Sequence, residues 1–323
     1  NHGDDRHCAA LVLPETGMNW LRLLFEFIVF PGFLFTLAAG LILTWVDRKI
    51  TARIQWRIGP PWFQPFADLM KLFSKETLVP EGAPRTIFLL SPLLGVAAMT
   101  VISVMLFRMN FHPRDTFVGD LIVIVYLLAL PPLALILGGA SSKNPLAAVG
   151  ASREMTLYFA YEVPFLITLV GIIAKSGGAL RLGDFVLAQR AGGPFLYSLS
   201  GVIFGLVMLL AIQAKLGLVP FDIAEAEQEI MSGPYIEYSG PVLAMFKITR
   251  AMMLFVLPIF LLTMLWGGIA SWWAVPKFLA VIVLIILIKN TNPRIRIDQA
   301  LKFFWSGVTV LSLAGLILAM FRL

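Results

Sequence analysis

Apolar runs of roughly twenty residues, parted by short polar connections, set the pattern of this chain. Runs of that length match the thickness of a lipid bilayer when coiled as helices. Eight candidate spans are centred on residues 27–46, 87–107, 121–139, 155–174, 195–214, 241–265, 274–288 and 306–321. None shows the ten-residue alternation of a membrane barrel, and backbone in lipid must bond within its own segment, so helices are expected. The fold class is therefore all-α: a polytopic bundle of about eight transmembrane helices, forming one membrane domain over residues 24–323. A polar tail, residues 1–23, precedes it and is expected to be disordered or extracytoplasmic.

One connection breaks the polar pattern in an informative way. In "QPFADLMKLFSKE", Phe66, Leu69, Met70 and Phe73 recur at helical spacing, while Asp68, Lys71, Lys75 and Glu76 fall on the other side. An amphipathic helix follows, lying at the membrane interface or packed on its own bundle. Just before it, Lys49, Arg53 and Arg57 recur every four residues and predict a basic stripe for lipid phosphates or acids on a partner. With Arg48, Arg294 and Arg296 these bases are candidates for a subunit interface.

Composition agrees: 59% of the 323 residues are hydrophobic, 14% are charged, and the mean hydropathy is +0.87. The net charge of +6 gathers in connections on one side, which the positive-inside rule makes cytoplasmic. A multi-pass protein of the cell membrane with both termini extracytoplasmic is expected. The only cysteine is Cys8 and the histidines are His2, His7 and His112, so no metal-ligand cluster is expected and the chain should hold no metal itself. No phosphate loop, nucleophile elbow or nucleic-acid groove is evident.

Charge inside the apolar segments carries more information. A carboxylate near the bilayer centre costs about 2.5–3.5 kcal/mol on insertion scales and needs a partner, a proton or water. Glu154, Tyr158, Tyr161 and Glu162 lie at i, i+4, i+7 and i+8, one helical face on which two carboxyls about 12 Å apart form a ladder. Pro164 predicts a kink just beyond. Lys247 and Arg250 are candidate counter-charges, with Arg153 a further supporting base; an interfacial salt bridge involving Glu154 only is the alternative. The stretch "PFDIAEAEQEIMSGPYIEYSG", residues 220–240, adds Asp222, Glu225, Glu227, Glu229 and Glu237 and no base. It reads either as a solvated loop or, given its prolines, glycines and tyrosines, as a shaped segment whose mutually repelling acids relay protons to Glu154 and Glu162.

"DRKITARIQWRIGP", "QPFADLMKLFSKE", "GASREM…YEVP", "PFDIAEAEQE" followed by "GPYIEYSG", and "PRIRIDQALKFFW" occur in the order that resembles the H-type (subunit 1) membrane subunit of respiratory complex I and of energy-converting membrane-bound [NiFe] hydrogenases. The resemblance covers about Thr44 to Trp305. It implies an eight-helix subunit between a peripheral electron-transfer arm and antiporter-like membrane subunits, with Glu162 and the acids of residues 222–237 starting a proton path. It also implies that Fe–S clusters, and in the hydrogenase branch a [NiFe] centre, sit on a hydrogenase-like large subunit and an Fe–S small subunit, with no cofactor on this chain. Only Pro61, Trp62 and Phe63 part "RIGP" from "QPFAD", where the quinone-reducing branch has a longer insert. "GASRE" and "DIAEAEQE" resemble the hydrogenase branch and its sulfane-sulfur-reducing sibling, whereas Asp47 replaces the family's usual Glu. The expected function is thus a non-catalytic membrane subunit of a ferredoxin-dependent complex of that kind. A quinone-site subunit of complex I is the alternative, and a stand-alone transporter, for which no internal repeat is visible, is a more distant one.

Overall fold

The computed structural model describes residues 20–321, and for Glu227 the backbone only; Cys8, His2 and His7 lie outside the described residues. The described residues are helical and contain no strand. In chain order the helices are α1 (Trp20–Ile28), α2 (Phe33–Ile54), α3 (Gln64–Phe73), α4 (Arg85–Phe111), α5 (Asp120–Ser141), α6 (Pro145–Lys175), α7 (Leu182–Gly192), α8 (Leu199–Lys215), the single turn α9 (Glu227–Ile230), α10 (Gly240–Leu265), α11 (Ala274–Thr291), α12 (Ile297–Lys302) and α13 (Thr309–Met320). Residues Phe303–Val308 join α12 to α13 as a π-helical segment, so the last span is one continuous rod over Ile297–Met320. Seven segments among the described residues are long and apolar enough to cross a membrane, and the shorter apolar α8 makes the eighth. The first predicted span lies within the apolar segment Trp20–Ile54, which breaks at residues 29–32 between α1 and α2.

The bundle is built around α10. Every residue from Ala251 to Leu265 except Phe255 is buried, an all-round apolar helix of the kind that only other helices can surround. It packs on α2, α4, α7, α8 and α11. Small residues let the backbones meet, as in membrane helix pairs generally. A Cβ on Gly40 of α2 would stand 2.3 Å from the Ala251 carbonyl oxygen of α10. On the far side α6, the longest helix at 31 residues, packs on α5, α8 and α13.

Length mismatch between α6 and α8 positions the site. At 1.5 Å per residue α6 spans about 46 Å and α8 only about 25 Å, at the short limit for a ~30 Å hydrocarbon core. The chain after α8 turns back inside the bundle: Pro220, Phe221, Asp222, Ile223 and Ala224 are all buried. Phe221 packs 4.8 Å from Phe304 between ring centroids, and Tyr238 stacks on Phe88 at 4.1 Å. A Cβ on Gly150 of α6 would meet Pro234 Cδ at 2.6 Å, so the connection lies against the helix wall rather than over it.

Both readings of α3 hold in part. Pro65, Leu69 and Leu72 are buried against α2 and α10, whereas Met70 and Phe73, expected on the same face as Leu69, are exposed. Neighbouring Trp56, Ile58, Trp62 and Phe63 are exposed as well. The basic stripe is shorter than its spacing predicts: α2 ends at Ile54, and Trp56 takes a left-handed φ of 57°, so Arg57 leaves the helical face of Lys49 and Arg53. Arg48 instead ties α2 to α3, its Nη1 donating to Asp68 Oδ2 at 2.8 Å, with Gln64 Nε2 on Oδ1 at 2.9 Å.

Gly40→Ala should cost about 1–3 kcal/mol by overpacking the α2–α10 contact, read as a lower thermal midpoint of the purified protein. Gly307→Ala, where an added Cβ meets nothing within 4 Å, should leave the midpoint unchanged. A second outcome concerns pH. Partial burial pushes the Asp68 carboxyl up, but the hydrogen bonds from Arg48 and Gln64 outweigh it and hold the group below its ordinary 3.8. The folded value being the lower one, the tether of α3 is at full strength above pH 3.8 and is lost as pH falls through the folded value. The protection of α3 amides relative to their intrinsic exchange rate should therefore fall below pH 3.8 in the wild type and change little there in Asp68→Asn.

Candidate functional site in the re-entrant acidic connection

Ion pairs concentrate at the end of the bundle where α8 stops. Lys215 is the last residue of α8, so its ammonium meets the partial negative charge of that helix C-terminus. Its side chain is fully enclosed, and Nζ donates to Glu162 Oε2 of α6 at 2.6 Å. Three rings wall it in: Phe165, Tyr161 and Tyr158, with centroids 4.6, 4.9 and 6.0 Å from Nζ. Glu162 thus has a counter-charge, but neither of the bases predicted for it. Arg250 bonds Glu225 and the Gly217 carbonyl, the latter at 2.7 Å, and Lys247 stays exposed at the rim.

Lys215 was legible only as a loop base, because a lone lysine at the end of an apolar run usually marks where the run leaves the membrane. Its partner is on α6, a tertiary contact that the run from residue 195 to 214 does not itself contain. Pro164, where a kink was predicted, leaves α6 one continuous helix from Pro145 to Lys175.

The acids of residues 222–237 are held apart rather than left to repel one another. Asp222 pairs with Arg294 between α11 and α12 at 2.8 Å, and Glu229 with Arg153 of α6 at 2.6 Å. Glu225 pairs with Arg250 of α10, and Glu237 Oε1 accepts from Asn144 Nδ2 at 2.5 Å. The Glu227 side chain lies outside the described residues. Tyr235 hydrogen-bonds Glu225; burial first, and then that carboxylate's charge, push its hydroxyl well above its ordinary 10, so it stays a donor. Asn144 does two jobs: its Oδ1 caps α6 by accepting from Leu146 N at 2.9 Å, with Pro145 at the first helical position, while its amide holds Glu237. Of the remaining interface candidates, Arg53 and Arg57 are exposed, Lys49 reaches the Gly59 carbonyl at 3.4 Å, and Arg296 lines a surface cleft with Arg153 and Arg294.

Two cavities divide these groups. A small one of about 40 Å³ is lined by Glu154, Lys215, Glu225, Tyr235 and Arg250 among others. It has room for water, which needs roughly 10–15 Å³ and polar partners. Glu154 is buried and makes no ion pair among the described residues. The Tyr161 hydroxyl, on the same helix, is buried and bonds no other described group. A second cleft of about 210 Å³ takes Asp222 and Glu229 with Arg153 and Arg294. Asp222 and Glu229 thus line the outer cleft and Glu154 and Glu225 the inner cavity, whereas Glu162 and Glu237 line neither. A third cavity of about 280 Å³ lies between α2, α3, α10 and α11, lined by Leu41, Asp47, Arg48, Leu69, Lys247 and Lys289 among others; Asp47 there pairs with Lys289 at 2.6 Å.

The family model described as NADH dehydrogenase matches residues 26–320. The chain belongs to the H-type family of NADH dehydrogenase membrane subunits. The H subunit of NADH-quinone oxidoreductase from Dehalococcoides mccartyi (strain CBDB1) is 31% identical over 320 residues, covering 94% of this chain and 88% of the relative. That of Carboxydothermus hydrogenoformans is 34% identical over 305 residues, covering 88% and 85%. Among solved structures, a chain of the membrane-bound sulfane sulfur reductase, an archaeal respiratory membrane complex, is 30% identical with a TM-score of 0.79, covering 89% of this chain and 96% of that one. This H-type protein is thus a multi-pass membrane subunit of complex I-like respiratory assemblies, as the motif order implied.

Asn144→Asp should keep the cap on α6 but set a carboxylate against Glu237. Amide exchange should rise across residues 233–239 while the first turn of α6 stays protected. Asn144→Ala should loosen both, with about 1 kcal/mol lost at the helix start.

Proposed function

We propose that this subunit ties peripheral redox subunits to ion-translocating membrane subunits in a ferredoxin-dependent complex of the membrane-bound hydrogenase or sulfane-sulfur-reducing type, and carries protons on the way. One observation carries the reading: buried Glu154 shares a water-sized cavity with Glu225 of the re-entrant connection, and Lys215 leads from that cavity to Glu162. A purely structural role would place carboxylates in closed ion pairs; Glu154 has none among the described residues. The short "RIGPPWFQP" link and the likeness to the sulfane sulfur reductase chain favour that branch. The exposed aromatics Trp56, Trp62 and Phe63 beside Arg53 and Arg57 form an apolar and basic face suited to a hydrogenase-like large subunit and an Fe–S small subunit, which would bear the Fe–S clusters and any [NiFe] centre. Antiporter-like subunits would receive the protons within the membrane, and the connection would face the cytoplasm.

The quinone reading has one observation in its favour, the 280 Å³ cavity with apolar walls and a basic rim, close to the ~300 Å³ lower bound of small-molecule sites. Copurified subunits separate the two readings: a [NiFe]-type large subunit supports the first, and potent inhibition by quinone analogues supports the second.

Glu154→Gln keeps shape and hydrogen bonding and breaks no ion pair, so the complex should assemble and transfer electrons. The ratio of ions moved to electrons transferred, measured in vesicles, should fall several-fold. An unchanged ratio at normal turnover would remove Glu154 from the path.

A further inference from the structure

We propose that Lys215 is itself a proton carrier, passing protons between the Glu154–Glu225 cavity and Glu162; the inference rests on the proton-path reading above and names the group that joins its two halves. Geometry is the first support. Lys215 lines the cavity that holds Glu154, Glu225 and Arg250, and at the same time its Nζ bonds Glu162 Oε2 at 2.6 Å. Glu154 and Glu162 lie two turns apart on α6, about 12 Å along the helix, too far for direct transfer, and Lys215 is the residue that both lines the cavity of the one and bonds the other.

Chemistry is the second support. A buried ion pair contributes little stability over an apolar pair of similar volume, so stability alone does not account for a lysine here. Elsewhere in the site the pairing base is usually arginine: Arg153, Arg250 and Arg294 hold the acids of the connection. A guanidinium does not release its proton in proteins, whereas a buried ammonium does so readily. The arginines can fix their carboxylates; the lysine can exchange with its own. The rings of Phe165, Tyr161 and Tyr158 around Nζ close off bulk solvent, leaving the cavity and Glu162 as its exchange partners.

The transfer balances. In the first step an N–H bond of the Lys215 ammonium breaks and an O–H bond forms on Glu162, leaving a neutral amine beside a neutral carboxylic acid. In the second the amine takes a proton from the Glu154 carboxyl through water in the cavity, breaking O–H and forming N–H. Glu154 is left as carboxylate, to be reprotonated from the connection.

The test is Lys215→Arg in the assembled complex in vesicles, alongside Glu154→Gln. Arginine keeps the positive charge opposite Glu162, so a structural role predicts a normal ratio of ions moved to electrons transferred. A carrier role predicts a several-fold fall in that ratio. An unchanged ratio in Lys215→Arg with a reduced one in Glu154→Gln would overturn the carrier assignment and leave the proton path standing. Unchanged ratios in both would overturn the path with it. Should Lys215→Arg fail to assemble, infrared difference spectra of the wild-type complex on redox cycling decide. A protonated-carboxyl band must rise together with loss of a lysine ammonium band identified by isotope-labelled lysine; a carboxyl band without the lysine change would overturn the assignment.

Discussion

The premature end of α8 is the constraint on which the rest of the structure depends. At 17 residues α8 is at the short limit of a membrane span, and the chain just beyond it, from Pro220 to Ala224, is buried inside the bundle. Irregular backbone survives there only where protein covers it. The bundle supplies that cover through α5, α6, α10 and the α12–α13 rod, with Phe221 against Phe304, Tyr238 against Phe88, and the wall of α6 thinned to glycine at Gly150. Burying the segment then obliges its carboxylates to find partners, and that obligation generates the ion-pair arrangement.

Pairing each described acid side chain of the connection to a different element has a mechanical consequence. Asp222 is tied to the α11–α12 link, Glu225 to α10, Glu229 to α6 and Glu237 to the α5–α6 corner. A change of charge at one acid is therefore felt by a particular helix rather than by the loop as a whole. The Arg153–Glu229 pair is largely solvent-facing, with Glu229 61% exposed, and contributes little by itself. The enclosed Lys215–Glu162 pair is the one whose disruption costs several kcal/mol, and it lies deepest. Sensitivity to charge is thus greater at the enclosed pair than at the exposed one.

Membership of the H-type NADH dehydrogenase family and the likeness to a sulfane sulfur reductase chain fit this picture of a membrane subunit whose redox chemistry happens on partner chains. The exposed Trp56, Ile58, Trp62 and Phe63 stand beyond the end of α2 and before α3, outside the candidate spans, and so differ from the apolar side chains along the spans. Exposed apolar groups of this kind suit an interaction surface, whether lipid interface or protein.

By itself the sequence determined the class, the order of the spans, the amphipathic α3 and the identity of the acids. Apolar run length and helical spacing are local properties that bilayer thickness converts directly into structure. The family was legible too, because its motifs lie within continuous stretches. Partnership was not. Glu162 meets Lys215, 53 residues away, and Asp47 meets Lys289 from the far end of the chain; Lys247, better placed by spacing, meets neither α6 acid. The division of the acids into an inward pair and an outer pair, and the split of α3 between buried Leu69 and exposed Met70, were likewise decided only when the helices packed. Charges in a bundle choose partners by which helix ends coincide in depth, and depth depends on where each helix stops relative to its neighbours, a relation that no single segment contains.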